Sequence, residues 1–327
     1  MCFICENKIY DNNSSQYYHC QFCPSVKYIP KLKYLRELNC SRCIDLVHIL
    51  PLDNLVKLNC EECTYLTYIP NMSNLLELNC YNCHNLVSIP KLDKLIKLDC
   101  SQCFILKNIP LLENLIELKC YRCHDLVSIP VLNSLTELNC SYCPNLKSIP
   151  ILNNLRKLFC IECSDLRFIP QLDNLKELYC ARCPFLDCIP QLTNLKALYC
   201  SDCVRIKWIP ILDNLKELNC SGCRFVVSIP NMSNSLYLNC SRCPFLTNKS
   251  EKFYMYQVYE CKCLLGTVDY DPNVIKKIII IQLWQKKRYF LKRLINLVYS
   301  DTFLEIYYKP GNIGEWITKK QIQDMLI

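Results

Sequence analysis

The residues most able to do chemistry are the cysteines. Of the 29 in this 327-residue chain, 24 fall into twelve Cys-x-x-Cys pairs, from Cys20/Cys23 to Cys240/Cys243, each pair 20 residues after the one before. The resulting C-x2-C-x16-C-x2-C spacing lies in the range that holds zinc through four thiolates. Periodicity supplies a competing account, because a side chain that returns every 20 residues stacks in a column, and a free cysteine in a buried column acts as a small hydrophobe. Zinc throughout the array is therefore not expected, and neither are disulfides between units: side chains in register point the same way and disfavour the dihedral a bridge needs. Cys2 and Cys5 differ, standing 18 residues before Cys20 and Cys23 where the array requires 20. Cys2, Cys5, Cys20 and Cys23, with His19 as a substitute ligand, form the candidate zinc site, and the chain is otherwise expected to need no cofactor. His19, His48, His84 and His124 are scattered, no Ser/His/Asp or Cys/His constellation is readable, and with only 4 Gly there is no phosphate loop. The expectation is a protein without catalytic activity and without a small-molecule substrate.

The elements that must carry these cysteines follow from the unit L-x-x-L-x-C-x-x-C-x-x-L-x-x-I-P-x-L, seen in full at Leu115–Leu132. Leu35 to Leu215 and Leu38 to Leu238 form two uninterrupted columns. The period of two in L-x-C predicts a short strand, the second Cys a turn, and the Ile-Pro segment an extended return, since Pro lacks an amide donor and fixes φ. In one unit the Pro comes a place late, as Ile49-Leu50-Pro51, and the phase recovers at Leu52. The register divides the chain into an imperfect capping segment at 1–30, a solenoid at 31–250 and a carboxy-terminal segment at 251–327. A fixed period overrides any division by length, because each repeat buries its apolar face only against its neighbours.

This unit resembles the leucine-rich repeat, L-x-x-L-x-L-x-x-N/C-x-L, with Cys40 and its equivalents in the third apolar slot and Cys43 and its equivalents in the Asn/Cys slot. It departs from that pattern in two ways: a cysteine fills an aliphatic slot in every unit, and the next Leu comes one position late. The short Pro-ending return resembles bacterial leucine-rich effectors, and the regular Cys-x-x-Cys version in a chain rich in Asn, Lys, Ile and Tyr resembles repeat proteins of mimivirus-like giant DNA viruses. The resemblance implies an α/β repeat solenoid: a right-handed superhelix with a parallel β-sheet on its concave side and extended returns on the convex side. Asp271 as N-cap and Pro272 at the first helical position add a helix to about Val298, with a second after Thr318, as a helical carboxy-terminal cap. It also implies a non-enzymatic, protein-binding scaffold, whose partner would be a host protein if the origin is viral.

Where such a partner would bind is read from the outward column between the second Leu and the first Cys. It runs Asn39, Asn59, Asn79, Asp99, Lys119, Asn139, then Phe159, Tyr179, Tyr199, then Asn219 and Asn239. Three consecutive rings should stack at about 4.8 Å on the sheet face. With Arg156, Lys157, Lys176, Arg182 and Lys196 around them they have the composition of an interface hot spot; the plainer reading is that cross-strand rings only stiffen the sheet. Two further functions stay open. The start Cys-x-Ile-Cys resembles zinc-binding ubiquitin-ligase domains, which would make the chain a ubiquitin-pathway adaptor. Between Pro272 and Ser300 there are seven Lys or Arg and no acid, so the basic helix could bind nucleic acid or an anionic membrane surface. No secretory leader and no apolar run near the ~20 residues of a spanning helix is evident. With so many unpaired cysteines, the expected setting is intracellular: the cytoplasm of a host cell, or a virion.

Overall fold

The computed structural model describes residues 16–230 and 236–246. By its contacts the chain divides into Met1–Ser250 and Glu251–Ile327, and every described residue belongs to the first. The strands, in order, are β1 (Tyr17–His19), β2 (Tyr28–Ile29), β3 (Glu37–Asn39), β4 (His48–Ile49), β5 (Lys57–Asn59), β6 (Glu77–Asn79), β7 (Lys97–Asp99), β8 (Glu117–Lys119), β9 (Glu137–Asn139), β10 (Lys157–Phe159), β11 (Glu177–Tyr179), β12 (Ala197–Tyr199), β13 (Glu217–Asn219) and β14 (Tyr237–Asn239). All but β2 and β4 form one twelve-stranded sheet in sequence order. Every pairing is parallel and offset by 20 residues, as in Leu38↔Leu58 and Leu158↔Leu178. No helix occurs among the described residues, which form an all-β solenoid. The α part of the expected α/β class rested on the segment from Asp271, which lies outside the described residues, as do Cys2 and Cys5.

The strands are three residues long because only their middle residue faces inward, and the first Cys already leaves the strand while still feeding the ladder: Cys40 N–H donates to the Asn59 carbonyl at 2.8 Å, and its equivalents repeat the bond. The Leu columns, both Cys columns and the Ile of each return are buried from Leu35 to Ile229, so one apolar core runs the length of the array. It thins at the last described unit, where Leu238 is half-buried.

Returns form little sheet because Pro removes a donor from each. The late Pro at Pro51 tests that rule. Leu50 keeps its amide and donates to Ile29 at 2.9 Å, and here alone among the described returns a two-stranded ladder, β2 with β4, appears. Elsewhere the returns touch through isolated bridges such as Tyr68↔Ser88.

Each Cys-x-x-Cys turns through a left-handed residue. The second intervening position has φ between 55° and 60° in eleven units, from Phe22 to Arg242, and 72° at Gly222. Its amide is thereby aimed at the next unit, as Arg42 N–H to the Glu61 carbonyl at 2.7 Å. A left-handed non-glycine residue costs about 1–2 kcal/mol. Asp202→Gly is therefore expected to raise the urea midpoint, whereas Gly222→Val, with a β-branched side chain whose Cβ would meet Asp202 Oδ1, should lose about 1–2 kcal/mol. The opposite order in a denaturation series would show that these turns are not held left-handed.

Candidate functional site

The scaffold behind the sheet face is a set of side-chain ladders. The second Cys of each unit donates its thiol to the carbonyl of the first Cys one unit back: Cys43 to Cys20 at 2.7 Å, Cys63 to Cys40 at 3.1 Å, and so on to Cys243 and Cys220 at 3.1 Å. The sulfurs thus serve as donors as well as packing volume. Cys20 takes part through its carbonyl. Among the described residues no three His, Cys, Asp or Glu side chains are grouped as a metal site requires, and the cysteines from Cys60 to Cys223 are free thiols.

A second ladder lies at the bend before the strands. Asn54, Asn74, Asn114, Asn154, Asn174, Asn194 and Asn214 each donate Nδ2 to a carbonyl one unit back, at 2.7 or 2.8 Å. A third ends the strands. Asn39, Asn59, Asn79, Asp99, Asn139, Asn219 and Asn239 accept, through Oδ1, the N–H two residues on at 3.0–3.2 Å. These Asx turns pin the chain as it leaves each strand.

The predicted rings stand in this third column. Phe159 and Tyr179 stack at 4.6 Å and 10°, Tyr179 and Tyr199 at 4.8 Å and 9°, and Tyr237 adds a looser contact to Tyr199 at 6.2 Å. None of the three rings can accept the amide that Asn would. At Phe159 the vacated amide, Ile161 N–H, finds the buried Ser141 Oγ of the previous unit at 3.2 Å, just as Tyr121 N–H finds Ser101 Oγ beside Lys119. At Tyr179 and Tyr199 the corresponding residues one unit back are Ile161 and Ala181, which have no hydroxyl.

The phenols point along the sheet to carboxylates: Tyr199 donates to Glu217 at 2.6 Å and Tyr179 to Glu177 at 3.4 Å. Hydrogen bonding to Glu217 and burial raise the Tyr199 pKa; burial, then Glu177, raises that of Tyr179. The phenols are neutral donors at ordinary pH. Ala197 is buried between Glu177 and Glu217 in its column.

The predicted cations separate into three places. Lys157 is on the sheet face but ion-paired with Glu177 at 3.3 Å. Arg182 lies past the strand, in the left-handed turn, held by Glu162 at 2.8 Å. Arg156, Lys176 and Lys196 are exposed at the bend before β10, β11 and β12, and Lys216 extends their column by one unit; counting by 20 from Lys196 would have found it. The other half of the sheet face differs. Glu37, Lys57, Glu77, Lys97 and Glu117 alternate in sign around a shallow depression of about 430 Å³, with Lys57 and Glu77 paired at 3.3 Å. This alternation accounts for itself as ladder stabilisation. His84 and His124 stand two units apart in one column, and Phe104 fills the place between them, stacked at 4.6 and 4.8 Å. No helix of the described residues is long and apolar enough to cross a membrane.

No protein-family model and no curated protein matches the chain. Solved structures do. A leucine-rich repeat protein from Bacteroides ovatus is similar at 19% identity over 66% of this chain and 76% of that one, with a TM-score of 0.44. A leucine-rich cell surface protein from Faecalibacterium prausnitzii is similar at 14% identity over 69% and 79%, with a TM-score of 0.39. The functional domain of InlJ from Listeria monocytogenes, which includes a cysteine ladder, is similar at 20% identity over 69% of this chain and 63% of that one, with a TM-score of 0.38. The chain is a solenoid of 20-residue units with cysteines at fixed repeat positions, similar to leucine-rich repeat proteins.

Proposed function

We propose that the chain is a non-enzymatic protein-binding scaffold that holds its partner on the sheet face over β10, β11 and β12. One observation carries this reading. Phe159, Tyr179 and Tyr199 replace a residue whose side chain closes a turn in seven other units, and they put half-buried rings in its place. A hydrogen bond of that kind contributes about 0.5–1.5 kcal/mol, while a stacked cross-strand pair returns about 0.2–1 kcal/mol, so stability alone does not favour the exchange. Aromatic area that a partner can cover does. Unpaired cysteines suit a reducing compartment, which belongs to the same proposal.

The test is the triple change Phe159→Asn, Tyr179→Asn and Tyr199→Asn. It restores the Asx column at about 0.5–1.5 kcal/mol per bond but gives up two stacked pairs at about 0.2–1 kcal/mol each, and the Ile161 amide already has Ser141 Oγ. The array should therefore stay folded, with an unchanged far-UV spectrum and a urea midpoint close to that of the wild type. Captured from a cell lysate under reducing conditions, then identified and rebound in pure form, a partner of the wild type should be lost by this variant. Retention of the same partners would place the binding surface elsewhere.

A further inference from the structure

Resting on that reading, we propose that the occupant of this surface is an extended segment of a partner protein in which acidic and apolar residues alternate. Its acids would lie along the column Arg156, Lys176, Lys196 and Lys216, and its apolar side chains on the rings of Phe159, Tyr179 and Tyr199. The first argument is electrostatic. Four cations in successive units stack at about 4.8 Å, and none of them ends in an ion pair with a described residue, although nine other cation–acid contacts are present among the described residues. Like charges opposite one another weaken a sheet; the first column of the sheet face alternates Glu37, Lys57, Glu77, Lys97 and Glu117 and brings one like pair together, Glu117 and Glu137, whereas the bend carries four cations in a row. Asp173, three residues before Lys176, is occupied by Gln171. The column has the charge of a site for several acids in a row.

The second argument is the geometry between the columns. Arg156, Lys176 and Lys196 each precede a ring by three residues, a separation of about 10 Å at ~3.3 Å per residue, while Lys216 precedes Asn219 and extends the cation column one unit past the rings. Side chains of an extended peptide alternate to opposite sides, so a strand laid along the solenoid between the two columns sends every second residue to the cations and the others to the rings. Acids at i, i+2 and i+4 span about 13 Å, against about 14 Å for four rungs. Glu177 and Glu217 lie in the intervening column, but the first is paired with Lys157 at 3.3 Å and the second receives Tyr199 at 2.6 Å.

The same geometry disfavours a nucleic acid. Rings stacked at 4.6 and 4.8 Å cover one another's faces and leave no gap for a base, and single-strand binding draws its sequence-tolerant energy from stacking on free aromatic faces.

The experiment uses the full chain and three labelled probes in fluorescence anisotropy: a Gly-Ser-flanked Asp-Leu-Asp-Leu-Asp peptide, its isomer Asp-Asp-Asp-Leu-Leu, and a short oligothymidylate. The alternating peptide should bind at least about tenfold more tightly than its isomer, and should weaken about tenfold or more both in the ring-to-Asn variant and in Lys176→Ser/Lys196→Ser. Equal binding of the isomer, tighter binding of the oligothymidylate, or no binding of the alternating peptide would overturn the inference. If the peptide fails while the ring-to-Asn variant still loses its lysate partner, the surface stands and this occupant falls. If that partner is also retained, both fall.

Discussion

Raising the pH from 8 to 10 should unfold the array. Nine thiols, Cys40, Cys60, Cys80, Cys100, Cys120, Cys140, Cys160, Cys200 and Cys220, are pushed well above the ordinary thiol value of 9.0, first by the hydrogen bond to the second Cys of the next unit and then by burial. A group whose pKa is raised on folding contributes stability that is complete below the unfolded-state value. That contribution is lost as pH climbs from the unfolded value toward the folded one, because the unfolded chain releases protons the folded chain retains. Each such thiol withdraws about 1.4 kcal/mol per pH unit. Nine together remove on the order of 10 kcal/mol in one unit, comparable to the 5–15 kcal/mol that holds a typical domain. Cys183 and Cys223 are pulled the other way by Cys160 and Cys200 and soften the loss locally. Circular dichroism at 222 nm and urea midpoints across this window, under strong reductant, check the claim; a midpoint that stays flat to pH 10 would mean that the thiols ionise without cost.

Leu138→Ala should be the most damaging conservative substitution to place in the middle of the array. Leu138 is fully buried in β9, stacked between Leu118 and Leu158. Truncation leaves a cavity among side chains that are themselves locked in columns, at a cost of about 2–5 kcal/mol. Because each unit contacts only its neighbours, the damage should stay local and divide the array. Hydrogen exchange is expected to show lost protection over roughly the adjoining units, and two separable unfolding steps in place of one. Leu238→Ala, at the half-buried end of the same column, should cost far less. Uniform loss of protection from β1 to β14 would contradict the nearest-neighbour picture.

The large features were legible because they depend on period alone. Columns of Leu set the core, the strand positions and the 20-residue register, and interruption of the Asn column marks the ring stack. What escaped depends on hydrogen-bond direction, which composition does not display. Cysteine reads as a small hydrophobe, and only the placement of Cys43 under the Cys20 carbonyl reveals a donor. The Asn column shows in the sequence only as a run of polar residues between apolar ones, whereas in the structure each Asn or Asp side chain closes its own turn. The left-handed position gave almost no signal, since Gly222 is its one glycine; Asn82 and Asp202 in the same column were the clue. Arg182 was grouped with the rings by nearness in sequence, and the turn after Cys180 carries it to Glu162.

Because every ladder bond joins a position to its counterpart a fixed distance away, no rung depends on which unit it occupies. A stretch of gene encoding one unit could be copied or excised in frame and the two flanking units would meet with the same bonds they make now. Length is thus a heritable variable that this architecture leaves free, while the surface over β10 to β12, which differs from its neighbours in only a few columns, can be lengthened, shifted or erased by point substitutions without touching the fold.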